Sequence, residues 1–273
     1  MTLLVRDEED IIQANIDYHL AQGVDFFIIT DNLSIDRTSE ILENYTSSGK
    51  FWIIREHSDD YNQGMWVTRM ARLAADHGAD WVINSDADEF WWPIHGNLKT
   101  CFEQIPPEVG VVEVQRHNFA CILGDDPFWS RMIWREKISR NSKGQLLPSK
   151  VAHRSSACVE VKQGNHAVSG VEPDEIGKAP LEILHFPLRN PSQFINKIRN
   201  GGAAYQRNAV LGSNVGGTWR QLYEELERHG NLDTYLAASI HDPQRLTNRL
   251  GTGELIPDRR LADFLLQLSP ASQ

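Results

Sequence analysis

The sequence predicts an α/β fold built on a mostly parallel sheet, with a helical region at its C-terminal end. Three observations predict it. Short apolar runs alternate with stretches of helical periodicity up to about residue 90. Each run opens into a polar turn or segment that leads to the next helix. From Pro191 onward helical periodicity dominates, interrupted by glycine and proline.

Thr2 to Val5 reads as the first strand, followed by Arg6-Asp7-Glu8-Glu9-Asp10 and then by Ile11, Ile12, Ile16, Tyr18, His19 and Leu20 at helical spacing. The acids are expected in the first helical turn, where the helix dipole favours them, and Gly23 at the helix end. Val24 to Thr30 is a second strand. It opens into Asp31-Asn32-Leu33-Ser34-Ile35-Asp36-Arg37-Thr38, a loop rich in capping residues, before a helix through Ile41 and Leu42. After Gly49 comes a third strand, Phe51 to Ile54, then a polar segment from Arg55 to Gly64. The next helix is expected to turn Met65, Val67, Met70, Ala71, Leu73 and Ala74 inward and to close at Gly78. Trp81 to Ser85 is the fourth strand, and right-handed crossovers make the set parallel.

Further on, Leu98 to Ile105 reads as a short helix stopped by Pro106-Pro107, and Val109 to Gln115 as a strand. Phe128 to Arg140 is rich in Trp and Arg; Asn141 to Lys150 and Val168 to Pro180 read as loops, with apolar strands at Ala157 to Val161 and Leu181 to Leu184. The helices after Pro191 are expected to break at Gly201-Gly202, Gly212 to Gly217, Gly230 and Pro243. No repeat, low-complexity tract or long linker divides the chain, so one domain spanning 1–273 is expected.

With 273 residues, 41% hydrophobic and 23% charged, the chain can bury a full core. It has no apolar run of the ~20 residues a membrane span needs, and Met1 leads into Leu3-Leu4-Val5 without a basic leader region, so a cytoplasmic protein is expected. Cys101, Cys121 and Cys158 are odd in number and far apart, which suits reduced thiols; without a Cys-x-x-Cys pair, structural zinc is not expected. The net charge of −10 argues against a nucleic-acid partner. An anionic ligand must therefore be met locally, by a cation or by helix amides.

The stretch that carries most chemical information is Ala79 to Pro93, where the Trp81 strand ends in Asp86, Asp88 and Glu89 and continues into Phe90-Trp91-Trp92-Pro93. A chain this rich in aspartate holds roughly one Asp-x-Asp by chance. Its context adds to it. Acids at a strand's carboxyl end point into the crevice where open α/β sheets bind ligands, and acids beside large apolar side chains need a positive partner. A metal or phosphate role follows for Asp86 and Asp88; the alternative is a solvated turn. A calcium loop fails, because it needs a third acid and a glycine after Asp88.

Taken in order, Leu4-Val5-Arg6-Asp7-Glu8-Glu9, Gly23-Val24-Asp25, Asp31-Asn32-x-Ser34-x-Asp36-x-Thr38 and Asp86-Ala87-Asp88-Glu89-Phe90 resemble the nucleotide-binding half of family 2 type glycosyltransferases of the GT-A fold. The branch most similar has Asp-x-Asp-Glu-Phe as its metal motif. The resemblance covers about the first 95 residues, with looser matches at Gly164-Asn165-His166 and Leu184-His185-Phe186. It implies a nucleotide-binding half at 1–95, an acceptor half at 96–190 and a helical tail at 191–273. It also implies transfer of a sugar from a nucleotide-diphosphate donor, with UDP- and GDP-sugars the natural candidates, to a glycan or other hydroxyl acceptor. Mn²⁺ or Mg²⁺ would stabilise the leaving diphosphate.

In that resemblance Asp88 is the direct metal ligand, Asp86 shares the metal or holds the ribose, and His185 is a third metal ligand or a diphosphate contact. Asp31 contacts the base or ribose, while Arg6 and Asp7 line the same pocket. Each has a structural alternative: Asp31 and Ser34 as a turn capping the next helix, Arg6 as a surface ion pair, Asp7 as a cap, His185 as a core residue. Arg69, on the helix before the acidic strand, reaches the phosphates or Asp86, or is a surface arginine. Inversion needs a base that takes the acceptor's proton, and His166 is the first candidate, with Glu160, Glu172, Asp125 and Asp126 behind it; retention stays open. Trp91, Trp92, Trp129 and Trp134 could form a sugar-stacking platform or simply pack. Two other readings remain. A phosphohydrolase of the haloacid dehalogenase type wants Thr or Val where Phe90 stands two residues beyond Asp88, and a binding module could keep the fold without the chemistry.

Overall fold

The computed structural model describes residues 1–60, 62–141, 144–208, 211–212 and 215–268. Residues 142–143 of the expected Asn141–Lys150 loop and 213–214 of the expected Gly212–Gly217 break lie outside them. The chain forms two compact units, one of residues 1–116 and 148–183, the other of 117–147 and 184–273.

The first unit begins β1 (Thr2–Val5), α1 (Ile12–Ala21), β2 (Phe27–Asn32), α2 (Thr38–Glu43), β3 (Phe51–Glu56), α3 (Gln63–Asp76), β4 (Trp81–Asp86), β5 (Glu89–Pro93), α4 (Leu98–Glu103) and β6 (Val109–Val114). The chain crosses into the second unit in β7 (Arg116–Asn118), continues through α5 (Phe128–Arg131) and β8 (Trp134–Glu136), and returns for β9 (Lys150–Arg154), β10 (Glu160–Val161), β11 (Val168–Ser169) and β12 (Glu175–Gly177). It crosses again in β13 (Leu181–His185). The second unit then holds α6 (Pro191–Arg207), α7 (Gly217–His229), α8 (Asp233–Ser239), α9 (Pro243–Gly251), β14 (Leu255–Pro257) and α10 (Arg260–Leu268). No helix among the described residues is long and apolar enough to cross a membrane, and the three cysteines are unpaired.

The first unit is organised by a seven-stranded sheet in the order β12-β6-β9-β4-β1-β2-β3. Strands β1 to β4 are mutually parallel where they pair, as the strand and helix alternation predicts. β9 is the exception, antiparallel to both β4 and β6. One apolar cluster, with Ile83, Val112 and Ile183, forms around α4; a second, with Ile28, Val82 and Val151, forms beneath α3.

α3 buries Trp66, Val67, Met70, Ala71 and Ala74 as its period requires, but Met65 is 62% exposed, and Gln63 is buried where the pattern had no inward residue. The acids expected in the first turn of α1 precede it instead, and the Glu8 carbonyl accepts the amides of Ile11 and Ile12. Apolar Ala157–Val161 supplies only the two-residue β10, and the loop from Val168 to Pro180 contains β11 and β12.

In the second unit α6 runs through Gly201 and Gly202 without a break, against expectation. The reason is close packing against α7. A Cβ on Gly201 would meet the Trp219 ring at 2.5 Å, and one on Gly202 would meet Tyr223 Cβ at 2.3 Å. The two glycines serve helix contact, which outweighs their poor helix propensity.

Candidate functional site

The chain leaves β1 toward β2 on one side and returns as β4 on the other, so the crossovers diverge between the ends of β1 and β4. In an open α/β sheet this switch point is where ligands bind. Leu4 pairs with Asp86 across β1 and β4, and Val5 with Asp31 across β1 and β2. Arg6, Asp7, Asp31 and Asp86 are thereby brought to one carboxyl edge.

Because β9 runs antiparallel beside β4, its first residue arrives at the carboxyl end of β4. That residue is Lys150. Its ammonium, 1% exposed, donates to Asp86 Oδ2 at 2.5 Å and lies 3.2 Å from Glu89 Oε1. Arg116, just after β6, donates to the same Glu89 oxygen at 3.4 Å. The other Asp86 oxygen accepts Asn165 Nδ2 at 3.2 Å and Gln63 Nε2 at 3.4 Å. The Asp86 amide donates to Glu89 Oε2 at 3.3 Å. Glu89 is fully buried, and burial pushes its carboxyl up to about 7, with Lys150 and Arg116 opposing and Asp86 and Asp88 adding. Buried charges persist only with such partners, and here Lys150 and Arg116 answer Asp86 and Glu89.

The turn that carries Asp88 is held from behind by one face of α1. Asn15 Nδ2 donates to the carbonyls of Ala87 and Glu89, at 2.9 and 2.8 Å, and the Tyr18 hydroxyl to that of Trp91 at 2.9 Å. His19 Nε2 accepts the Trp91 amide at 3.2 Å, so Nδ1 carries the hydrogen and donates to the Asn15 carbonyl at 2.8 Å. Burial forces this ring down to about 3, keeping it neutral.

In front, the loops after β1 and β2 are laced together. The amides of Asp7, Glu8 and Glu9 donate to Ser34 Oγ, Thr38 Oγ1 and Asp36 Oδ2, at 3.1, 2.8 and 3.0 Å. In return the amides of Ile35 and Arg37 donate to Asp7 Oδ1 and Glu9 Oε2, at 2.8 and 3.0 Å. Asp7 and Leu33 take left-handed φ of 55° and 59° to allow it, conformations that cost a non-glycine residue energy.

This arrangement can be set beside known proteins. The family model described as glycosyltransferase family 92 matches residues 2–185. The chain belongs to glycosyltransferase family 92. The motif resemblance to glycosyltransferases holds at that level. No curated protein matches the sequence. Among solved structures, S. aureus TarS 1–349 in complex with UDP-GlcNAc superimposes with a TM-score of 0.45 at 14% identity, over 84% of this chain and 71% of that one. The same TarS fragment in complex with UDP gives 0.45 at 14% identity, over 84% and 70%. GalNAc-T7 with UDP, GalNAc and Mn²⁺ gives 0.41 at 10% identity, over 84% and 54%.

Several residues of this glycosyltransferase stand apart from the expected roles. Arg69 pairs with Glu56 at 3.1 Å rather than with Asp86, the place beside Asp86 being taken by Gln63 from the start of the same helix. Arg6 pairs with Asp59 at 2.6 Å. Asp31, 3% exposed, accepts the Ser34 amide at 3.2 Å together with the Ser39 hydroxyl and the Arg55 guanidinium, so its turn-capping role is realised. Trp91 is fully buried with Nε1 donating to Ser85 Oγ at 3.1 Å, which removes it from any acceptor platform. Trp92 stacks on Tyr18 at 5.6 Å; Trp129 and Trp134 lie half-buried in the second unit. His166 Nδ1 donates to the Ser149 carbonyl at 2.8 Å, and burial, then the Lys150 charge, hold the ring down at about 4. Glu160, Glu172, Asp125 and Asp126 are exposed. His185 belongs to the second unit, where Nδ1 meets Asn118 Oδ1 at 2.7 Å.

The residues present fit Mn²⁺ or Mg²⁺ brought with a substrate. Asp86, 33% exposed, offers a hard oxygen with the 5% exposed Asp88 on the turn after it, and among the described residues no group of three His, Cys, Asp or Glu is placed to hold a metal ion. These ions are commonly held by one or two carboxylates plus substrate phosphates and water.

Sequence reasoning missed Lys150, Arg116, Gln63 and the α1 face. Asn15, Tyr18 and His19 stand at i, i+3 and i+4 in an otherwise apolar pattern, which was a readable signal. Lys150 had a weaker one: buried acids require cations, and the sequence could not say which lysine or arginine served.

Proposed function

We propose that this family 92 chain transfers a sugar from a nucleotide-diphosphate donor to an acceptor hydroxyl, with inversion and with a divalent metal. The observation that carries the reading is the gathering of Arg6, Asp7, Asp31 and Asp86 at the β1/β4 switch point. A parallel sheet there presents loop amides and side chains to a nucleotide. Asp86 and Asp88 would hold the metal together with the donor's phosphates, and the metal when bound supplies Lewis-acid stabilisation of the leaving diphosphate.

The chain's own residues do the rest. The laced loops form a rigid rim, Asp31, Arg6 and Asp7 contacting base or ribose, and the α1 face fixes the acidic turn so that Asp88 keeps one position. Such preorganisation places charge without reorganisation during transfer. His166, neutral with its proton on Nδ1, would accept the acceptor hydroxyl's proton at Nε2. A pKa near 4 makes it a weak base, but one that is unprotonated at neutral pH. The acceptor is a glycan or other hydroxyl, with Trp92 as the stacking candidate of the first unit.

The test is a thermal-shift panel of nucleoside diphosphates and nucleotide sugars, each with Mn²⁺ and with chelator, followed by product analysis. A metal-dependent rise with one nucleotide, then sugar transfer or slow donor hydrolysis, is expected. Binding without turnover would make the chain a binding module, and no shift with any nucleotide would remove the donor-site reading.

A further inference from the structure

Lys150 is a charged group that the transfer scheme above leaves without a task. Its ammonium is 1% exposed, and taking a lysine out of water is costly unless fixed partners return the loss. Glu89, fully buried, explains part of its presence, yet Arg116 already pairs with Glu89. The shorter contact of Lys150 is to Asp86, whose side chain is 33% exposed and could be solvated by water alone. So the cation is not there because Asp86 needs a buried counter-ion. It lies instead against Asp86, the most exposed acid of the motif, Asp88 being 5% exposed and Glu89 fully buried.

Two consequences follow from that placement. With Oδ2 on Lys150 and Oδ1 on Asn165 and Gln63, the Asp86 carboxylate is fixed by three donors from three separate segments. An anion approaching Asp86 also meets Asp86 and Glu89 already offset by Lys150 and Arg116, so it meets far less repulsion than the bare acids would exert. Resting on the donor-site reading, we propose that Lys150 is a positioning residue of that site. It orients Asp86 and lends standing positive charge, so that a nucleoside diphosphate keeps a metal-independent share of its binding.

The experiment is calorimetric titration of UDP and of GDP into the full chain, in Mn²⁺ and in chelator, for the native protein, Lys150→Met and Lys150→Arg. The native protein should bind one nucleotide in both conditions, more weakly in chelator. Lys150→Met should lose at least tenfold more affinity in chelator than in Mn²⁺, a change in metal dependence that mere loosening of the fold would not give. Lys150→Arg, which keeps the charge and serves if the Met variant does not fold, should stay within about threefold of native in chelator. A native protein that binds only with metal overturns the proposal and leaves the donor site standing, as does a Met variant matching native in chelator or an Arg variant losing all binding there. A native protein that binds neither nucleotide in either condition overturns both.

Discussion

Asn15 spans the acidic turn from behind, its Nδ2 reaching the Glu89 carbonyl at 2.8 Å while also donating to Ala87 on the other side of Asp88. Removing that amide in Asn15→Ala leaves two buried carbonyls short of a donor, at a cost of about 1–3 kcal/mol. Transfer should fall more than stability accounts for, because Asp88 loses its fixed position. Denaturant midpoints and kcat on the same preparation check this; a kcat unchanged in the folded variant would reduce Asn15 to a packing residue.

The neutral His19 ring makes stability acid-sensitive. Its folded pKa, about 3, lies below the ordinary 6.5, so the unfolded chain binds the proton first as pH falls. The contribution is complete above about pH 6.5 and is lost from there down toward pH 3, on the order of 3 kcal/mol by pH 4. Urea unfolding at pH 7, 5.5 and 4 should show the decline, and His19→Gln should flatten it. An identical slope in the variant would assign the acid sensitivity to other buried histidines.

Gly202→Ala should destabilise although alanine is the better helix former. The added methyl would lie 2.3 Å from Tyr223 Cβ, and overpacking of this kind costs about 1–3 kcal/mol against a propensity gain of about 1. A melting temperature at or above native would show that α6 and α7 separate without penalty.

Asp88→Ala should reduce turnover by about 10²-fold or more through loss of metal-linked charge stabilisation, while leaving the fold intact. The paired measurement is the Mn²⁺-dependent part of the nucleotide thermal shift, expected to vanish. Full activity in the variant refutes the metal assignment.

If His166 is the base, transfer should be indifferent to its titration across neutral pH and decline only as pH approaches about 4. His166→Ala should lower kcat with donor affinity kept. A large loss of nucleotide affinity instead would place His166 among the binding residues.

Much of this fold was legible because the parallel strands of the first unit announce themselves in their own residues. Trp81 to Asp86 is apolar, short and capped by acids, and periodicity alone separates it from the amphipathic α3 before it. β9 was not legible. It follows a loop-like segment, carries Lys150 and His153, both buried, and belongs to the sheet only through pairing with β4 and β6, neither near it in sequence. Gly201 and Gly202 misled for a related reason, since helix propensity is local whereas the Trp219 and Tyr223 rings that require those glycines come from another helix. The acids at 86, 88 and 89 could be read in advance; their counter-ions could not, because a long-range ion pair leaves no spacing in the chain.

The reciprocal bonds between the loops after β1 and β2 make two stretches, some 28 residues apart, behave as one mechanical part. Asp7 both receives from one loop and gives to it, and Glu9 does the same two residues on. Neither stretch can therefore drift in composition by itself: a new side chain at Ser34 or Asp36 strips a partner from an amide on the far loop. Variation at this rim is constrained to move in matched pairs, and any retuning of what the crevice accepts has to be written in both loops at once.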